Sequence, residues 1–148
     1  MAFRFSLQPV LKLRQSFERL EQLRLLAITA MVVRVRGEIA ALERESRIAR
    51  QRLQERLAAG MAGAEVHYEA VCEKLRSDHK RNLETQLEGL ERRQAKQRLA
   101  YQMARQKREI LENLRQRRWE EYRHEQARRE QQALDELFLL HRGTTPHE

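Results

Sequence analysis

A single cysteine, Cys72, excludes a disulfide within the chain and gives no sign of an oxidising compartment. Cys72 shares a helical row with Tyr68 and Leu75 and reads as a small apolar packing residue. Breakers are equally scarce, with five glycines and two prolines in 148 residues, and Pro146 sits in the C-terminal tail. Aromatics are 5%. An ordinary globular domain carries more of both. No apolar run reaches the roughly 18 residues that a membrane span needs. The longest candidate, 25–35, is interrupted by Thr29 and Arg34. The opening has Arg4 and then Pro9 without an apolar signal core, so the expected location is the cytosol. There is no Gly-rich phosphate loop. His67, His79, His124, His141 and His147 are scattered, with no second ligand at metal spacing. No cofactor, metal or catalytic role is expected, because two helices enclose no cavity for chemistry.

What the chain does have is charge and helix formers. Charged residues make up 35% and the net charge is +8. With so much Ala, Glu, Leu, Arg and Gln, this is the composition of long helices or coiled coils. The basic character is concentrated: residues 92–129 carry 13 Lys and Arg against 5 Glu, whereas residues 130–148 carry a net −3.

The one credible break is 59–64, Ala-Gly-Met-Ala-Gly-Ala. Gly60 is expected to stop the first helix, and Glu65 to lie in the first turn of the next. The expected fold is all-α: a long antiparallel two-helix coiled-coil hairpin in one domain, with the second helix longer. Its parts are an arm at 1–8, helix one at 9–59, a turn at 60–63, helix two at 64–140 and a disordered tail at 141–148. Ser6 is the expected N-cap, ahead of Pro9 in the first turn.

Helix one shows 3-4 spacing at Val10, Leu13, Phe17 and Leu20, then at Val35, Ile39 and Leu42, then at Ala49, Leu53 and Leu57. Helix two shows it at Tyr68, Val71 and Leu75, then at Leu83, Leu87 and Leu90. Extended, that row meets Gln94, Gln97, Tyr101, Ala104, Arg108, Leu111, Arg115, Arg118 and Tyr122. This predicts a seam that is apolar near the turn, polar away from it, and most stable near the turn. Residues 25–35 are apolar on most sides, which suits either a thicker local core or contact with a partner. Gly37 and Gly89 fall at nearly one level, where a close approach, a kink or chance are all open.

Folding about the turn sets Leu53 near Val71, Val35 near Leu87 and Val10 near Leu114. At 1.5 Å per residue the helices span roughly 75 and 115 Å, so residues 115–140 lack a partner in the chain. That overhang holds Arg115, Arg118, Trp119, Tyr122 and Arg123 and ends in Leu134, Leu137, Phe138 and Leu140. Trp, Tyr and Arg are the residues most enriched at interface hot spots. The alternative is a solvated helix end whose Trp119 packs on Phe3 and Phe5.

Two segments resemble the FliJ family of flagellar type III export coiled-coil proteins. One is 3–14, Phe-Arg-Phe-Ser-Leu-Gln-Pro-Val-Leu-Lys-Leu-Arg, similar to that family's F-x-L-x-x-V/L-L-x-L-R opening. The other is Arg118-Trp119-Glu120-Glu121-Tyr122 followed by Glu130-Gln131-Gln132-Ala133-Leu134-Asp135-Glu136-Leu137, similar to the family's closing E-Q-x-x-L-D-E run. The resemblance implies a non-enzymatic stalk, like that of rotary ATPases. Its terminal end would enter the hexameric flagellar export ATPase ring, and it would sit peripherally at the inner-membrane export apparatus. Arg115, Arg118, Trp119, Tyr122 and Arg123 would meet the ring. The resemblance also implies contact with the cytoplasmic domain of the export gate through Glu38, Leu42, Glu45, Ala49, Val71 and Leu75, with Asp78 and Asn82 beside them. Export chaperones are a further partner class. The competing readings are a virulence-secretion stalk, a homodimeric scaffold in which 60–63 is only a kink, and a basic nucleic-acid-binding helix. Against the last, bases alternate with glutamates and no DNA-binding motif appears; nucleic acid is not among the expected partners.

Overall fold

A computed structural model describes residues 2–143. It contains two α-helices, α1 (Gln8–Ala59, 52 residues) and α2 (Gly63–Gly143, 81 residues). The fold is all-α, an antiparallel two-helix coiled-coil hairpin whose second helix is the longer. The expected tail at 144–148 lies outside the described residues. Residues 141–143, expected in that tail, continue α2. The described chain forms two compact units. The hairpin unit comprises residues 19–102. The terminal unit comprises residues 2–18 with 103–143.

In the hairpin unit, Gly60 ends α1 with φ of 93°, a left-handed conformation that costs an L-residue with a Cβ roughly 1–2 kcal/mol. Its N–H donates to the Leu57 carbonyl at 3.3 Å. The Ala62 carbonyl then accepts from Glu65 and Val66, which starts α2 at Gly63. Arg56 straddles the reversal, 3.0 Å from Glu65 and 3.7 Å from Glu69. Moving away from the turn, cross-helix pairs follow in antiparallel order: Arg50 with Glu73 (3.1 Å), Glu43 with Lys80 (3.1 Å), Arg36 with Glu91 (2.8 Å) and Thr29 with Gln94 (3.1 Å).

The inward row of α1 in this unit is Glu21, Leu25, Ile28, Val32, Val35, Ile39, Leu42, Ser46, Ala49 and Leu53, each half-buried or buried. Opposite run Glu69, Glu73, Arg76, Lys80, Leu83, Leu87, Leu90, Gln94, Gln97 and Tyr101. The core is centred on Val32, Val35 and Leu83. Burying such a side chain contributes about 1.5–3 kcal/mol. The seam is polar away from the turn, as expected, at Gln94 and Gln97, but it is not apolar near the turn. Near the turn the seam of α2 is charged, and Tyr68 (67% exposed), Val71 and Leu75 (64%) face outward. A Cβ built on Gly37 or Gly89 would meet nothing within 4 Å, so neither marks a close approach.

In the terminal unit, Leu7 rather than Ser6 occupies the N-cap, since the Leu7 carbonyl accepts the first helical bond, from Leu11 at 2.9 Å. Gln8 donates to the Phe5 carbonyl at 3.0 Å, which folds the arm inward and buries Phe5. Leu11, fully buried, is the centre of this small core. The expected stripe of Val10, Leu13 (53% exposed) and Phe17 (45%) faces solvent, as does Leu20 in the hairpin unit. The inward row of α1 steps back from Leu25 through Glu21, Glu18, Arg14 and Leu11 at intervals of four and three. A helix that keeps one heptad register cannot also turn the adjacent row inward. The register follows the larger aliphatic block, 25–42, at the expense of the smaller one.

Candidate functional site

The terminal unit assembles its site from both segments. Trp119 and Tyr122, three apart on α2, stack at 5.8 Å with planes 24° apart. Phe3 closes over both, edge-on to Trp119 at 5.3 Å and tilted against Tyr122 at 5.6 Å. Such ring pairs add about 0.5–1.5 kcal/mol beyond their buried area. The overhang expected from residue 115 onward therefore has a partner as far as Tyr122, supplied by the arm that precedes α1. Packing of Trp119 on the arm, the alternative raised above, does occur through Phe3. It leaves Trp119 38% exposed, so the cluster still presents a surface.

On this stretch of α2 Arg115, Arg117, Arg118 and Arg123 are all exposed, with no ion pair to another described residue. Arg115 and Trp119 border an open groove with Phe3, Glu112 and Gln116, and Arg118 borders another with Phe3 and Tyr122. About two turns deeper, Arg108 is neutralised. Arg108 Nε lies 2.5 Å from Glu18 but out of line for a hydrogen bond, while Nη2 donates to the same carboxylate at 3.4 Å. Glu112 holds the other Nη. Glu18, and then Glu112, keep this guanidinium even more firmly protonated than usual, against the opposing effect of burial. The site is thus a neutralised neck followed by an aromatic cluster beside arginines that make no ion pair with another described residue.

Of the five residues expected at this end, Trp119 and Tyr122 stack, and Arg115 and Arg118 border the grooves beside them, whereas Arg123 borders a separate groove with Glu120, His124 and Ala127. The sequence reading had not assigned Phe3 to the site, nor the exposed row Val10, Leu13 and Phe17. One signal could have found that row: Glu18 and Glu21, beside it on α1, need basic or amide partners, and α2 supplies Arg108 and Gln97. Gln97 donates to the Glu21 carbonyl at 3.0 Å and also to its carboxylate.

The second expected surface divides. Val71, Leu75, Asp78 and Asn82 lie exposed along one face of α2 at 4-3-4 spacing, continuing from Tyr68. On α1, Leu42 and Ala49 lie on the inward row and are half-buried. Glu38, half-buried, accepts from Arg34 at 3.3 Å, and Glu45 is exposed. Beside these, burial pushes the Glu73 carboxyl up, but hydrogen bonds from Arg76 and Arg50 outweigh it and hold the group below its ordinary range.

Among the described residues no group of three His, Cys, Asp or Glu could hold a metal ion, and no helix is long and apolar enough to cross a membrane. No curated protein and no solved structure shows significant similarity to the chain. Residues 3–142 match the family described as flagellar FliJ protein. That span takes in the arm with Phe3, both helices and the aromatic cluster, and the chain accordingly belongs to the FliJ family of flagellar export coiled-coil proteins.

Proposed function

We propose that the chain works without catalysis as a stalk and adaptor of flagellar protein export. Its terminal unit inserts into the hexameric export ATPase ring, and the Val71–Leu75 face meets the cytoplasmic domain of the export gate. The observation that carries this is the cluster of Phe3, Trp119 and Tyr122, bordered by Arg115 and Arg118, which make no ion pair with another described residue. Unneutralised guanidinium groups steer docking toward acidic loops and fix orientation more than they add affinity. The rings and the outward Val10, Leu13 and Phe17 supply apolar area once water is excluded. Arg115, Arg118 and Arg123 act as the electrostatic guide, and Trp119 and Tyr122 as the anchors. On the gate side, Val71 and Leu75 supply the apolar contact, flanked by Asp78 and Asn82, with Glu38 and Glu45 at its edge and Leu42 and Ala49 supporting from the seam. Export chaperones are partners of the same assembly, which places the protein peripherally at the inner membrane. Reversing the charge of Arg115, Arg118 and Arg123 together is expected to abolish stimulation of the ATPase while the far-UV helix signal survives. Undiminished stimulation would refute the ring-docking role.

A further inference from the structure

The face of α1 at residues 20–33 that is turned away from α2 is apolar and uncovered. Leu20, Leu23, Leu26, Met31 and Val33 are all exposed, with Ala27 and Ala30 between them. Leu25, Ile28 and Val32, from the same stretch, fill the seam. A helix that is apolar on both sides needs a second neighbour. The border of this face is basic. Arg19 makes no ion pair with a described residue, and Arg24 and Arg34 reach only Glu21 and Glu38 of their own helix, at 2.9 and 3.3 Å. Exposed pairs of that kind contribute little and exchange readily for a better partner.

A surface of the opposite kind lies near the end of α2. Residues 130–140 contain Glu130, Asp135 and Glu136 and no base. None of the three forms an ion pair with a described residue, and Asp135 accepts only an amide, from Gln131 at 2.9 Å. Leu134, Leu137 and Phe138 form one exposed row, widened by exposed Leu139 and Leu140.

We infer that the partner of the 20–33 face is a second copy of this chain, which lays its acidic 130–140 segment against it. Charge decides the pairing. Two 20–33 faces would set arginine against arginine, and two 130–140 segments would set carboxylate against carboxylate, both unfavourable. Only segment on face puts opposite signs along the border while covering apolar surface on both copies. The contact is heterologous: each molecule carries one donor segment and one acceptor face. Large apolar patches left open on a solitary molecule are otherwise uncommon.

Sedimentation equilibrium of the full chain over a range of concentration and salt tests this. Two variants are compared, Leu23→Glu with Leu26→Glu on the face, and Leu137→Lys with Phe138→Lys on the segment. The unaltered chain should associate, less so at high salt, and each variant alone should associate at least about ten-fold more weakly. An equimolar mixture should recover association, because one variant keeps an intact segment and the other an intact face. A chain that stays monomeric throughout, a segment variant that still associates, or a mixture that does not recover would each overturn the inference. Should either variant lose its far-UV helix signal, a charge-only pair replaces them: Arg19→Glu with Arg24→Glu and Arg34→Glu, mixed with Asp135→Arg and Glu136→Arg. Recovery in that mixture supports the inference, and its absence overturns it.

Discussion

The hairpin unit and the terminal unit use the same antiparallel pairing but are held by different chemistry. In the hairpin unit an aliphatic block around Val32, Val35 and Leu83 does the packing, and charged pairs such as Arg50–Glu73 flank it toward the turn. In the terminal unit one fully buried leucine, Leu11, is joined by a half-buried Arg108–Glu18 contact and a three-ring cluster. Aliphatic burial is non-directional and strong per residue. Ion pairs and ring edges are directional and weaker. The terminal unit should therefore open more readily.

The sharpest way to break the comparison is to empty the aliphatic block. Leu83→Ala is expected to destabilise the hairpin unit by about 2–4 kcal/mol, seen as a lowered midpoint in denaturant. A change of a few tenths would show that the block is not the main support. Next in size, Glu18→Ala should cost about 1–2 kcal/mol by leaving the Arg108 guanidinium only partly neutralised. Hydrogen exchange should speed up around residues 104–111 and leave residues 28–35 unaffected; equal acceleration of both would erase the distinction between the units. Phe3→Ala should cost about 1 kcal/mol and shift Trp119 fluorescence to the red, since Trp119 is the only tryptophan. The smallest effect belongs to the charged flank of the hairpin. The Glu73 carboxyl ionises more readily folded than unfolded, so its stabilisation is present above the ordinary carboxylate range and is lost as pH falls through the depressed folded value. Solvent screening keeps it to a few tenths of a kcal/mol. Glu73→Gln should flatten that part of the acid limb of stability against pH and leave stability at pH 7 nearly unchanged.

Where the sequence reading worked, a strong local signal stood alone. Gly60, flanked by small residues, has no rival as the reversal point, and its positive φ follows from the lack of a Cβ. The row Leu83, Leu87, Leu90, Gln94, Gln97, Tyr101, Ala104, Arg108 and Leu111 was legible because the Leu83–Leu90 block has no apolar neighbour row to compete with it, but Arg115 and Arg118, read into the same row, are exposed. The reading failed where two rows competed. Val10, Leu13, Phe17 and Leu20 look more like a core than Leu11, Arg14, Glu18 and Glu21, and Tyr68, Val71 and Leu75 more than Glu69, Glu73 and Arg76. Hydrophobicity alone picks the wrong row in both cases, because the inward row is chosen by the whole helix at once.

By itself the chain determined two long helices, their antiparallel reversal, the basic concentration over 92–129 and the grouping of arginines with Trp119 and Tyr122. All of these follow from composition, from one glycine and from spacing along a single helix. Only the tertiary structure decided which of two apolar rows faces inward and that Phe3 covers the aromatic pair. It also decided that the outward rows remain exposed. Those outcomes depend on how side chains from distant parts of the chain satisfy one another in a shared register, a condition that no local stretch contains.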